Sequence, residues 1–199
     1  MKTELKTSTV ESLLGVLSLR PMSGYEMRQF MEYSTGNFWR ESFGQIYPAL
    51  KRMVTAGLVT VEEQKGDGHP AKKVYRMTEA GAEHLRGWLG IAAKPQVPRN
   101  ELLLKVFFGD RAEAGAIAMQ VREWKAKEEV NLQRYERTLS EIETKFAAHP
   151  GMPFWRMTAR YGIAQAKALI GWCEATLEEM QGVGSREQGV ESGGCGDEC

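Results

Sequence analysis

Histidine and cysteine are scarce in this chain, three of each in 199 residues. His69, His84 and His149 are widely separated, and none sits beside a cysteine or carboxylate in a known catalytic arrangement. A Gly-rich phosphate loop, a Gly-x-Ser-x-Gly elbow and a His-Glu-x-x-His zinc helix are all missing, which argues against an enzyme. Cys173 falls among apolar neighbours and reads as a small core residue. Cys195 and Cys199 lie in a Gly-rich end without a second ligand pair such as Cys-x-x-Cys, so neither a metal nor a cofactor is expected. Long hydrophobic runs are lacking too: no stretch approaches the roughly 20 apolar residues of a membrane helix. The opening Met1-Lys2-Thr3-Glu4-Leu5-Lys6 has no apolar core, so no signal peptide is expected and a cytoplasmic location follows. Finally, there is no excess of either charge, with 26 basic and 26 acidic residues. Charge alone does not point to nucleic acid.

Its distribution is more informative. Residues 40–76 hold seven Lys and Arg against four Asp and Glu. Within that stretch, Ser42 to Met53 reads as a short helix. Gly57 supplies a left-handed helix stop, and the strand-like run Leu58-Val59-Thr60-Val61 follows. A polar turn from Gln64 to Pro70 precedes a second strand-like run, Lys73 to Met77, and a helix start at Thr78. Helix, basic hairpin, helix is the order of a winged helix-turn-helix. Two helices precede it. Val10, Leu13, Leu14 and Leu17 share one helical face, and Pro21 ends that helix. Ser23-Gly24-Tyr25-Glu26 has the Ser-x-x-Glu form of a capping box, starting a helix that runs to about Tyr33 and ends near Gly36. Pro48 is tolerable if its helix starts near Gly44, in the first turn.

Leu14-Gly15-Val16-Leu17, Met22-Ser23-Gly24-Tyr25-Glu26, Gly44-Gln45-Ile46-Tyr47-Pro48-Ala49-Leu50, Gly57-Leu58-Val59 and Tyr75-Arg76-Met77-Thr78-Glu79-Ala80-Gly81 together resemble the PadR family of bacterial transcriptional regulators. The resemblance spans about residues 10–90 at high motif density, and a long helical region at about 99–181 is similar to the larger PadR subgroup. It implies a homodimeric winged-helix repressor of double-stranded operator DNA. It also implies C-terminal helices that dimerise, and release by a small molecule or another signal acting between the wing domain and those helices.

The expected fold is therefore mainly α with a small β-hairpin wing: a winged helix-turn-helix domain at 9–91 and an antiparallel helical dimerisation and effector domain at 99–181. Pro95 and Pro98 mark the linker. Asn100 to Phe108 reads as a short helix, and Asp110 is expected to cap a long one with apolar positions Ile117, Val121, Trp124, Leu132, Tyr135, Leu139, Ile142 and Phe146. The helix from about Met152 to Met180 has only a narrow polar stripe, so it should be buried on more than one side. Phe154, Met157, Tyr161, Ile163, Ile170 and Trp172 are the expected dimer contacts. Residues 182–199 are Gly-, Ser- and Glu-rich and expected to be disordered.

Ser42, Gln45, Tyr47, Lys51 and Arg52 are the candidates at the major groove, since Gln reads adenine and Arg or Lys reads guanine or phosphate. Ile46, Leu50 and Met53 should face inward. Lys65, His69, Lys72 and Lys73 are the wing candidates; adjacent strand residues face opposite ways, so at most one of Lys72 and Lys73 points steadily at the DNA backbone. Trp88, Trp124, Trp155, Trp172, Phe107, Phe108 and Phe154 are available to an aromatic effector, though core packing is the better explanation of each of them. Two other functions compete: a winged-helix adaptor that binds protein rather than DNA, and a thiol-based redox or metal sensor using Cys195 and Cys199. Basic residues on both the third helix and the wing favour DNA.

Overall fold

The computed structural model describes residues 7–36, 38–66, 69–95 and 99–190, without the side chains of 7, 65–66, 69–71 and 183–190. The chain divides into two compact units between Gln96 and Val97. In the first unit the elements are α1 (Thr7–Leu17), α2 (Gly24–Ser34), α3 (Phe43–Thr55), β1 (Val59–Gly66), β2 (His69–Met77) and α4 (Glu79–Leu89). In the second they are α5 (Glu101–Phe107), α6 (Ala116–Lys145) and α7 (Met152–Val190), with a 3-10 turn at Gly109–Arg111.

The first unit is built around one core. Leu13, Leu14 and Leu17 of α1 meet Met27 and Met31 of α2 and Ile46, Leu50 and Met53 of α3, all buried. The i, i+4, i+7 spacing of the α3 trio makes its opposite face a solvent face. β1 and β2 pair antiparallel, from Val59 opposite Met77 out to Gly66 opposite His69. Both strands extend beyond the apolar runs that predict them. Val59 and Tyr75, at the base, are buried in the core and Met77 packs against it; further out, the strands are held by cross-strand backbone pairing. Gly57 has φ of 72°, a left-handed stop between α3 and β1.

Met22 was not legible as part of a sheet. Its N–H donates to the Tyr75 carbonyl at 3.1 Å, and its carbonyl accepts from the Tyr75 N–H at 2.9 Å. This isolated bridge fastens the wing to the segment that enters α2. Pro48 also departs from expectation. With α3 starting at Phe43, it lies beyond the first turn, inside the helix. An i→i−4 bond from residue 48 to the Gly44 carbonyl is therefore given up; the buried Ile46, Ala49 and Leu50 hold the helix through that gap.

In the second unit α6 and α7 pack along each other as an antiparallel hairpin, joined by the turn at 146–151. Val121 and Tyr135 of α6 and Ala159, Ala166 and Cys173 of α7 are buried, so small α7 residues meet larger α6 ones at heptad spacing. Leu102 of α5 joins Val121 and Cys173 in a cluster with Trp124 and Trp172. Burial pushes the Cys173 thiol up from its ordinary range. Asp110 does not cap α6. It lies in the 3-10 turn, and α6 starts at Ala116 behind Gly115, whose φ is 80°. α7 continues to Val190, beyond the expected end near Met180 and into the segment expected to be disordered. Once α7 is nucleated by packing, each further residue adds one hydrogen bond at low cost. Cys195 and Cys199 lie outside the described residues.

Gly81 tests how tightly α4 seats on the hairpin. A Cβ there would stand 2.2 Å from the Leu58 carbonyl oxygen, whereas one at Gly87 meets nothing within 4 Å. Gly81→Ala should lower stability by about 1–3 kcal/mol through forced backbone displacement. Gly87→Ala, on the same helix, should be neutral or raise it by up to about 1 kcal/mol. Denaturant unfolding of both variants checks the pair; equal effects would show that α4 is not held by that contact.

Candidate nucleic-acid interface

α3 presents its candidates in two rows. Gln45 and Arg52 lie on one flank of the solvent face and Tyr47 and Lys51 on the other, with Gly44 and Pro48 between, as the helical step of about 100° per residue requires. All four side chains are exposed. Gln45 has a second task. Its Oε1 accepts from the Ser42 N–H at 3.0 Å and from Ser42 Oγ at 2.9 Å. Ser42 is thus the N-cap of α3, and Gln45 is the third helical residue closing that cap. Arg52 also borders a cleft of about 160 Å³ that contains Glu11 and His84. There Glu11 Oε1 lies 2.9 Å from His84 Nε2.

An aromatic ladder that the sequence reading missed joins α2 to α3. Tyr25 stacks on Phe43 at 6.2 Å between ring centroids, and Phe43 on Tyr47 at 5.8 Å. Arg28 lies over Phe43 at 4.2 Å, a cation–π contact. Tyr25 is 56% exposed and Tyr47 49%, so the ladder is an open surface rather than core. Gly24 makes the close approach possible: a Cβ there would stand 2.8 Å from the Tyr47 ring. The available signal was the i, i+3, i+4 placement of Tyr25, Arg28 and Gln29 on α2. Without the α2–α3 crossing, that spacing is indistinguishable from a solvated face.

The wing lysines both meet acids. Lys73 Nζ is 3.6 Å from Glu63 on β1, with both side chains more than half exposed, a loose pair of little energetic weight. Lys72 is held more firmly. Its Nζ is 2.8 Å from Oε1 of Glu26 on α2. Glu26 Oε2 accepts from the Ser23 N–H and from Ser23 Oγ, each at 2.8 Å, and Ser23 Oγ accepts from the Glu26 N–H at 3.3 Å. This is the capping box read from Ser-x-x-Glu, with a lysine added from the wing. The Lys72 hydrogen bond, followed by that of the Ser23 backbone, lowers the Glu26 pKa to about 2. The side chains of Lys65 and His69 lie outside the described residues.

On α7 the expected dimer residues divide. Phe154, Met157 and Tyr161 are each at least 60% exposed. Ile163 and Ile170 are half-buried beside the α6 seam, and Trp172 packs in the cluster around Cys173 of its own chain. Among the described residues no cluster of His, Cys, Asp and Glu is placed to hold a metal, and no helix is long and apolar enough to cross a membrane.

A three-helix core, a recognition helix with an exposed polar face and a bridged hairpin wing define a winged helix-turn-helix transcriptional regulator. Residues 13–87 match the family described as transcriptional regulator PadR-like, and residues 98–181 match virulence activator alpha C-term. Residues 13–87 thus carry a PadR-like transcriptional regulator domain. The curated negative transcriptional regulator PadR of Bacillus subtilis is 26% identical over 171 residues, covering 83% of this chain and 93% of its own length. The structure of Bacillus subtilis PadR with operator DNA superposes with a TM-score of 0.76 at 21% identity, over 87% of this chain and 99% of that one. That of the same regulator with p-coumaric acid gives 0.68 at 22%, over 86% and 97%.

The lowered Glu26 pKa has a stability signature. The folded carboxylate stays ionised below the ordinary value of 4.5, down to about 2. Its contribution is therefore complete above the unfolded value and is lost as pH falls through that window. The difference in unfolding midpoint between wild type and Glu26→Gln should shrink on acidification across this range. A pH-independent difference would remove the carboxylate from the account.

Proposed function

We propose that this chain is a cytoplasmic, homodimeric repressor that binds double-stranded operator DNA and leaves it when a small-molecule effector binds. The observation that carries the reading is the solvent face of α3. Gln45, Tyr47, Lys51 and Arg52 stand out of a helix whose other face is sealed in the core, beside a wing on which Lys73 is exposed. That is the geometry of a helix offered to a major groove, with a hairpin offered to the flanking backbone. The adaptor reading gives no reason for cations on both elements. The repressor sense and the effector follow the Bacillus subtilis relative, named a negative regulator and solved with operator DNA and with p-coumaric acid. No catalytic step is assigned to the chain.

Dimerisation rests on the exposed row Phe154, Met157 and Tyr161, an apolar stripe at helical spacing on α7. Such a stripe on a monomer is an interaction surface. A dimer would also set the two α3 helices about 34 Å apart, one DNA turn. An effector that prefers another spacing releases DNA by its differential affinity alone: tenfold release needs about 1.4 kcal/mol.

The test is binding to the DNA upstream of the protein's own coding sequence, at two salt concentrations. Wild type should bind at low salt and weaken as salt rises. Lys51→Ala should weaken binding to all sequences alike and reduce the slope of log K against log salt by about 0.9. No binding at low salt would sink the repressor reading in favour of the adaptor.

Met157→Asp should convert the dimer to monomer in sedimentation while leaving the helical circular dichroism intact. A wild-type monomer would overturn the assignment of α7.

A further inference from the structure

The wing carries a lysine that it does not offer to DNA. Lys72 Nζ sits 2.8 Å from Glu26 Oε1, on the neighbouring element rather than on its own hairpin. The Glu26 carboxylate is not free to swing away. Its other oxygen is fastened by Ser23 through both the backbone N–H and the hydroxyl. Ser23 is itself buried and directly follows Met22, which bridges to Tyr75 three residues along β2 from Lys72. Acid and base are therefore positioned by the same backbone junction. The contrast with Lys73 is sharp: its partner Glu63 is an exposed side chain on the hairpin itself, 3.6 Å away.

We infer that Glu26 is a specificity-determining residue, a resident anion that neutralises Lys72 and keeps it out of the wing's contact with the phosphate backbone. Phosphate contacts add affinity for every sequence alike, while base contacts discriminate. A wing lysine committed to Glu26 lowers non-specific affinity without touching readout by α3. Glu26 stays ionised throughout the neutral range, since its pKa is about 2, so the restraint is constant rather than pH-gated. The inference rests on the DNA-binding reading.

Three proteins test it on random-sequence duplex DNA: wild type, Glu26→Gln and the double variant Glu26→Gln/Lys72→Ala. Glutamine is also a capping-box residue at this position, so α2 keeps its start; circular dichroism and the unfolding midpoint verify the fold of each. Glu26→Gln should bind random DNA more tightly and steepen the salt slope by about 0.9, one added phosphate contact. The double variant removes a neutral pair and should return to the wild-type slope. An unchanged slope in Glu26→Gln would overturn the inference. So would a double variant with a shallower slope than wild type, because Lys72 would then already be a phosphate contact. Either failure leaves wild-type binding in place, and so is distinct from failure of the repressor reading, in which wild type itself does not bind.

Discussion

The two backbone hydrogen bonds between Met22 and Tyr75 are the constraint on which the candidate DNA face depends. A two-stranded hairpin alone is marginal in water. Here its base is tied at Tyr75 to the residue that precedes the α2 cap, and Tyr75 itself is buried in the core. Direction of the wing and start of α2 are thereby fixed together. Without that bridge, Lys72 would have no reason to find Glu26, and the wing would have no defined position beside α3.

The same economy recurs on α3. Ser42 and Gln45 close the helix end with polar atoms that also stand on the candidate DNA face. Tyr47 packs against Gly24 and Phe43 while leaving half its surface open. Side chains that support the structure and side chains that face solvent are here often the same ones. A substitution on this surface thus changes both helix stability and contact, and only comparisons between specific and random DNA separate the two.

The two units use different packing. The first buries large aliphatic side chains from three helices and a hairpin around one point. The second is a long seam in which Ala159, Ala166 and Cys173 let α7 lie close to α6. A seam of small residues stabilises two helices but covers only one side of each. That leaves Phe154, Met157 and Tyr161 open on α7, and Leu103, Leu104 and Phe107 open on α5. This apolar surface is the physical reason to look for a second subunit.

The periodicity of Ile46, Leu50 and Met53, the Ser23-x-x-Glu26 cap, the Gly57 stop and the alternation of helix and strand are local signals, and residues within about four positions of one another suffice to read them. They determine element type and order, and which face of α3 is inward. The family resemblance of residues 10–90 is carried by the same short motifs. What the sequence could not contain is any pairing across the chain. Met22 with Tyr75, Glu26 with Lys72 and Tyr25 with Phe43 join positions 18 to 53 residues apart. No local rule selects Glu26 over other acids as the partner of Lys72, and no period marks Pro48 as interior rather than first-turn. Those choices belong to the tertiary structure, because only the packing of α1, α2 and α3 into one core sets which distant side chains come within hydrogen-bonding reach.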